Sequence, residues 1–183
     1  MLLDEFMARN RPNSNISLIL LSDIIVRRAT QIKFAMKIDR ISHASSSVLR
    51  LLAELNDYTN GLYPSEFNEL DSFAALQLSH VLFLGATVNN QLIGCGAAKN
   101  MGGYVELKRL YVSPEGRGKG VATILLQNLE NHVITLGFDR VFLETGIYQH
   151  EAMALYRLRG YTQCEPFGAY SANPYSVFYV KGF

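Results

Sequence analysis

Within the first 112 positions, some segments have apolar residues at helical spacing and others at strand spacing. Leucine and valine recur at helical intervals from 48 to 55, behind a run of serines that can cap a helix. Asn89-Asn90 lies between two largely apolar runs and favours a hairpin turn. The pattern predicts a strand at 38–41 that extends back through Ile32 and Phe34, a helix from 45 to 59, a short helix at 65–76, and strands at 81–88, 91–98 and 104–112.

The second part of the chain again combines helical and strand spacing. A run with helical spacing begins at Val121, and Gly137 ends it. Beyond it we expect a strand at 139–145, a helix at 152–158 closed by Gly160, and strands at 161–167 and 177–180. The order β-α-α-β-β-β-α-β-α-β-β predicts a mixed α/β domain with an antiparallel N-terminal half and a central β-α-β unit.

The segment from 106 to 122 joins a strand, a basic glycine-rich loop and the start of the long helix. Glycines at 116, 118 and 120 allow sharp turns with bare backbone amides, and Arg117 and Lys119 add positive charge. Amides and the helix dipole at a helix N-terminus both favour an anion. The loop therefore predicts a site for a phosphate or pyrophosphate.

Two common phosphate loops do not match this spacing. The dinucleotide fingerprint needs a third glycine where Val121 stands, and a Walker A loop needs Ser or Thr where Gly120 stands. Arg117-x-x-Gly120-x-Ala122 instead matches the R/Q-x-x-G-x-G/A signature of acetyl-CoA sites, so the chain resembles the GCN5-related N-acetyltransferase (GNAT) superfamily. A plain basic strand–turn–helix loop is the alternative interpretation of this short motif.

A later motif and the element order extend the resemblance over residues 36–183. Ala152-x-x-Leu155-Tyr156-x-x-x-Gly160-Tyr161 is similar to a late motif of the family. The resemblance implies the GNAT fold, a mixed and mostly antiparallel sheet with a central β-α-β unit for acetyl-CoA. The segments at 62–66 and 166–178 resemble a small bacterial subgroup often labelled indole-acetic-acid-acetyltransferase-like.

The resemblance assigns the cofactor and the catalytic residues. Tyr156 would protonate the leaving thiolate, and Glu106 would accept a proton from the acceptor amine, with Lys108 on the same strand face. Glu144, at the end of the next parallel strand, competes for the role of base or binds the acceptor. Acetyl-CoA would be held by Leu110, Tyr111, Val112, Arg117, Gly118, Lys119, Gly120, Val121 and Ala122.

For the acceptor, the aromatic C-terminal segment suggests Tyr170 and Tyr175 as lining residues, although aromatic residues in a small domain often belong to the core. The function expected from the resemblance is transfer of an acetyl group from acetyl-CoA to a primary amine of a small molecule or peptide, by direct attack in a ternary complex. A GNAT that binds acyl-CoA without catalysis, as a sensor or scaffold, and a nucleotide-phosphate binder remain the alternatives. The resemblance also allows for a homodimer.

Composition narrows the class of partner. The chain has 183 residues, enough for one domain, and a formal net charge of +1 gives no reason to expect nucleic acid or an acidic membrane surface. Two cysteines without metal-ligand spacing and no apolar run of about 18 residues favour a cytoplasmic enzyme without a metal. Residues 1–35 match nothing in the family, so we expect a peripheral extension, with Met36 as a candidate internal start.

Overall fold

The computed structural model describes residues 36–68 and 70–183. The predicted N-terminal extension, 1–35, and the extension of the first strand through Ile32 and Phe34 lie outside these residues. In the part of the chain that is described, no helix is both long and apolar enough to cross a bilayer.

Seven strands, four α-helices and two short 3-10 turns make up the described chain. The strands are β1 (Met36–Arg40), β2 (Val81–Val88), β3 (Gln91–Asn100), β4 (Val105–Val112), β5 (Arg140–Gly146), β6 (Thr162–Cys164) and β7 (Ser176–Gly182). The helices are α1 (Ser46–Asn60), α2 (Phe73–Leu76), α3 (Val121–Thr135) and α4 (His150–Leu158). The 3-10 turns are Ser65–Phe67 and Pro114–Gly116.

All seven strands form one sheet in the order β1-β2-β3-β4-β5-β7-β6. The pairs β2–β3, β3–β4, β5–β7 and β6–β7 are antiparallel, and β4–β5 is parallel. Helix α3 connects the two parallel strands, as a crossover connection requires. The predicted mixed and mostly antiparallel sheet with a central β-α-β unit is confirmed.

Local sequence explains where several elements begin and turn. The hydroxyl of Ser45 accepts a hydrogen bond from the amide of Val48 at 3.4 Å and caps α1. Asn89 and Asn90 have φ of 49° and 62°, the left-handed pair that a two-residue hairpin turn needs. Predictions based on capping and turn residues therefore agree with the structure here.

Two predicted elements differ from those observed. The single short helix at 65–76 is instead a 3-10 turn, Ser65–Phe67, followed by α2, because the hydroxyl of Ser72 accepts from the amide of Ala75 and starts a new helix. The strand predicted at 161–167 is only Thr162–Cys164, since Pro166 cannot donate to a neighbouring strand.

A gap opens in the middle of the sheet between β4 and β5. The two strands pair only at Glu106–Phe142 and Leu107–Leu143, although β4 continues to Val112 and β5 to Gly146. Beyond the last pair, the facing edges of the two strands have no strand between them. This gap lies at the carboxyl ends of both parallel strands, where sheets of this kind bind ligands.

A β-bulge in β4 accompanies the gap. Cys95 of β3 pairs with Tyr111, but Ala97 pairs with Lys108, so two residues of β4 lie opposite the single Gly96. One of these two is Arg109, whose φ is +58°. A left-handed conformation at a residue with a side chain costs about 1–2 kcal/mol, so the bulge is a strained feature beside the gap.

Candidate active site

The glycine loop leaves β4 and enters the first turn of α3. Gly118 and Gly120 have φ of +71° and +75°, and a Cβ at either position would meet nothing within 4 Å. Gly116 serves packing instead, because a Cβ there would lie 2.7 Å from Cγ1 of Val112. Two of the three glycines thus provide left-handed turns that face open space, as an anion-binding loop requires.

Helix α3 presents unsatisfied amides to this loop. Its N-cap is Gly120, which has no side chain to cap the helix, and the amide of Ile124 donates to the carbonyl of Gly120 at 3.1 Å. The amides of Val121, Ala122 and Thr123 come before this first helical hydrogen bond, so they have no carbonyl partner within the helix. The positive end of the helix dipole lies beside them.

A large cleft of about 490 Å³ runs from this loop along β4 to α4. This volume lies in the range of about 300–1,000 Å³ that ligand pockets occupy. Lys119 is absent from its lining, and the Nζ atom of Lys119 donates to the carbonyl of Glu115 at 2.5 Å. The other eight residues predicted to bind the cofactor all line the large cleft: Leu110, Tyr111, Val112, Arg117, Gly118, Gly120, Val121 and Ala122.

A small cavity of about 110 Å³ lies at the gap between β4 and β5 and is lined by residues of both strands. Its walls include both predicted carboxylates, Glu106 and Glu144, together with Tyr156 and Tyr175. Five residues line both the small cavity and the large cleft: Leu55, Leu110, Gln149, Ala152 and Tyr156. The two spaces therefore adjoin at the start of α4, and Tyr156 is part of both walls.

Tyr156 is held in a buried position at this junction. Its side chain is 6% exposed, and its ring lies 5.6 Å from that of Tyr161 and 6.1 Å from that of Tyr179 between ring centroids. Burial raises the pKa of the Tyr156 hydroxyl well above its ordinary value, and the charge of Glu144 raises it further. The hydroxyl therefore keeps its proton at neutral pH and can act as a hydrogen-bond or proton donor.

Glu106 is only 3% exposed and belongs to a three-membered polar network. Its Oε1 atom accepts from the hydroxyl of Tyr170 at 2.6 Å and from Nζ of Lys108 at 3.3 Å, and Lys108 also donates to the Tyr170 hydroxyl at 2.8 Å. The predicted common face of Glu106 and Lys108 thus agrees with the structure. Tyr170 contacts Glu106 but does not line the small cavity.

Aromatic rings form part of the wall of the small cavity. Tyr63 stacks on Tyr148 at 5.7 Å between centroids, meets Tyr175 edge-on at 6.2 Å, and Tyr175 lies 4.9 Å from Phe67. The amide of Tyr148 donates to the hydroxyl of Tyr63 at 3.0 Å. Tyr175 therefore lines the small cavity, and its contact with an acceptor stays a prediction; Tyr63 lies in one of the two segments identified from the sequence.

Gly146, at the end of β5, permits this wall. A Cβ at Gly146 would overlap the hydroxyl and ring of Tyr63. We expect Gly146→Ala to lower the free energy of unfolding by about 1–3 kcal/mol, the usual cost of overpacking, and to displace the Tyr63 ring from the small cavity. Chemical denaturation measures the change. Gly103→Ala is the matched control, since a Cβ there meets nothing within 4 Å and φ is unstrained; equal effects at both positions would contradict the assignment.

Several residues of the small cavity were not predicted from the sequence, and Gln149 and Arg109 are the two that bear on its chemistry. The Oε1 atom of Gln149 accepts from the hydroxyl of Thr145 at 2.8 Å and from the amide of Gly146 at 3.0 Å, which ties β5 to α4. Arg109 lies within the strand predicted at 104–112, where the sequence indicates no functional role for it. The adjacent charges Lys108-Arg109 in a largely buried strand break the two-residue alternation, and this break indicates a bulge.

Known proteins resemble the chain over most of its length. The model of the acetyltransferase (GNAT) family matches residues 49–161. A relative from Azospirillum brasilense named IAA acetyltransferase is 38% identical over 146 residues, which cover 79% of this chain and 95% of that protein. An uncharacterized N-acetyltransferase of Bacillus subtilis is 36% identical over 104 residues, or 55% of this chain and 69% of the relative.

Solved structures share the fold. A Klebsiella pneumoniae protein described as an acyl-CoA N-acyltransferase matches with a TM-score of 0.67 and 30% identity, over 80% of this chain and 97% of that one. PaiA N-acetyltransferase from Thermoplasma acidophilum, solved in complex with coenzyme A, matches with a TM-score of 0.65 and 21% identity, over 81% and 99%. The family model, the relatives and the fold agree with the resemblance found in the sequence, and the chain therefore belongs to the GNAT family of acetyltransferases.

Proposed function

We propose that this protein transfers the acetyl group of acetyl-CoA to a primary amine of a small molecule or peptide, by direct attack within a ternary complex. The observation that carries the proposal is the junction at Tyr156, where the large cleft beside the glycine loop adjoins a small cavity that contains two carboxylates. A donor in one space and an acceptor in the other can meet there.

The large cleft has the features that coenzyme A requires. Left-handed Gly118 and Gly120 and the first amides of α3 suit the pyrophosphate, and Arg117 lines the same end of the cleft. The edge of β4 from Leu110 to Val112 has no paired strand on the β5 side, so it can pair with the pantetheine arm. Acetyl-CoA supplies an activated acetyl group as a thioester.

In the proposed reaction the amine nitrogen forms a bond to the thioester carbonyl carbon, and the carbon–sulfur bond breaks. A protonated amine must first lose a proton, and Glu106 is our first candidate to accept it, with Glu144 on the same cavity as the second. The Tyr156 hydroxyl then donates a proton to the leaving sulfur. The products are an amide and free coenzyme A.

Direct attack is favoured over an acyl-cysteine route. Cys95 is 1% exposed, and neither Cys95 nor the half-buried Cys164 is among the residues that line either space. Burial raises the pKa of the Cys95 thiol to about 12, only partly offset by the charge of Arg109. A thiol with such a pKa is almost entirely protonated at neutral pH and is a poor nucleophile.

An assay of coenzyme A release against a panel of amines, amino acids and peptides tests the proposal. Mass spectrometry of the acceptor must show an added acetyl group. Binding of acetyl-CoA without turnover of any amine would contradict transfer and would favour a protein that only binds acyl-CoA. Competition by ATP but not by CoA would contradict the assignment of the loop.

For Glu106→Gln we expect a loss of turnover that shrinks as pH rises, because a larger fraction of the acceptor is then already the free amine. The expected loss near pH 7 is about 100-fold, within the usual range for a general base. Steady-state kinetics from pH 7 to 10 measures it. Tyr170→Phe is the control, since it removes the hydrogen bond to Glu106 but keeps the carboxylate. A deficit that does not change with pH would argue against a base at this position.

A further inference from the structure

Arg109 is a buried cation without an ionic or hydrogen-bonding partner for two of its nitrogens. Its side chain is 9% exposed, and its Nε and Nη1 atoms contact no acceptor within the part of the chain that is described. Arg109 also lines the small cavity. A buried guanidinium that is left unpaired is destabilising, so its presence at the wall of a cavity needs a cause.

Nearby cations are paired, and Arg109 differs from them in this respect. Lys108 contacts Glu106 and Tyr170, and Lys99 forms an ion pair with Asp71 at 3.0 Å. Asp71 acts on Arg109 through its charge but forms no ion pair with it within 4.0 Å. Asp71 therefore offsets part of the Arg109 charge from a distance, but it does not satisfy the guanidinium by direct contact.

The bulge in β4 adds a second cost at the same residue. Arg109 has φ of +58° and shares the position opposite Gly96 with Leu110. A bulge changes the direction of a side chain relative to regular alternation, and such strained positions persist where the surrounding structure enforces them, often at binding sites. Strain and an unpaired buried charge thus coincide at one residue of the cavity wall.

We propose that Arg109 binds a carboxylate of the acceptor, so that the acceptor is an amine that also carries a carboxylate group, with α-amino acids as the simplest class. The inference rests on the proposed acetyl transfer in the small cavity. Guanidinium and carboxylate form charge-assisted hydrogen bonds. Nη2 is the Arg109 nitrogen that a carboxylate in the cavity would contact first, because Nε and Nη1 have almost no accessible surface and would be reached only after the side chain turns toward the cavity. The amine of the same molecule would then lie on the side of Glu106 and Glu144, and an aromatic or aliphatic side chain would contact Tyr63 and Tyr175.

Matched acceptors test the proposal directly. Phenylalanine, phenylalanine amide and phenethylamine differ only at the carboxylate, and alanine and methionine with their amides extend the series to smaller side chains. We expect kcat/KM of the wild-type enzyme to be at least about 10-fold higher for each acid than for its amide, as the loss of a charged hydrogen bond implies. Equal or better use of the amides would overturn the proposal and leave acetyl transfer intact.

Arg109→Met separates binding from structure. Methionine has a similar length and the same backbone strain, but no charge to bury. We expect it to lower kcat/KM for the acids at least about 10-fold, to change that for the amides less than threefold, and to keep or raise Tm. A fall in Tm with an unchanged preference for acids would make Arg109 a structural residue and overturn the proposal.

A binding measurement tests the carboxylate site at Arg109 without relying on turnover. Calorimetric titration of the CoA-loaded protein with phenylalanine should give binding that Arg109→Met removes and Arg109→Lys partly retains. If no amine is acetylated by the wild type, the proposed function fails, whereas binding that depends on Arg109 would still support the carboxylate site. The carboxylate site would be overturned if phenylalanine and its amide bound equally well. Equal binding of phenylalanine by the wild type and Arg109→Met would overturn it too.

Discussion

Gly120→Glu is expected to abolish coenzyme A binding while the protein remains folded. The new carboxylate would lie in open space at the N-terminus of α3, where the amides and the helix dipole favour the pyrophosphate. It would occupy this site and repel the negatively charged ligand. The loss of two or more charge-assisted hydrogen bonds corresponds to at least about a 100-fold increase in Kd.

Calorimetry with coenzyme A measures the loss, and Gly137→Glu is its matched control. Gly137 also has a positive φ, +84°, a Cβ there also meets nothing within 4 Å, and it lies at the opposite end of α3. Both variants should lose about 1–2 kcal/mol of stability from backbone strain, and Gly137→Glu somewhat more than Gly120→Glu, because its carboxylate meets the negative end of the helix dipole. Only Gly120→Glu should lose ligand affinity; unchanged affinity in that variant would exclude the loop as the pyrophosphate site.

Tyr156→Phe is the second variant with a large expected effect. It removes one hydroxyl and keeps the ring that packs on Tyr161 and Tyr179. If the hydroxyl protonates the leaving sulfur, kcat should fall about 100-fold or more, with little change in the KM for acetyl-CoA. A loss smaller than about threefold would make Tyr156 a packing residue.

The pH profile adds an independent check on Tyr156. Because burial raises its pKa, the phenol is the favoured form at and above the ordinary tyrosine pKa of about 10. The wild-type activity should therefore show no decline from ionisation of this group up to about pH 10. Tyr161→Phe is the control variant, since Tyr161 is adjacent to Tyr156 but is not among the residues lining either space.

The sequence predicted the site best where the structure is determined by local chemistry. Glycines with positive φ, the capping serine and the asparagine turn depend on residues a few positions apart, and each was identified. The positions of Tyr156 and Tyr175 depend on helix and strand order, which the pattern also predicted. Lys119 was predicted to bind the cofactor from its place in the motif, but its side chain folds back onto a carbonyl of its own loop, which the motif does not indicate.

The contacts of Arg109 and Tyr170 could not be derived from local patterns, although Tyr170 was suggested as a lining residue and the adjacent charges at 108 and 109 interrupt the strand pattern. The contact between Tyr170 and Glu106 joins residues 64 positions apart, and no spacing rule indicates it. Arg109 depends on a bulge that exists only through pairing with β3, so regular alternation gives the wrong orientation. Both residues owe their role to tertiary pairing, which a single sequence does not reveal.

The gap between β4 and β5 also affects the stability of the sheet. Only two residue pairs join the four strands on one side to the three on the other. A molecule that pairs with both edges binds the native state and not the unfolded chain, so it shifts the folding equilibrium by mass action. At a ligand concentration 100 times Kd this stabilisation is about 2.7 kcal/mol, which makes the occupied protein more resistant to heat and proteolysis than the free one.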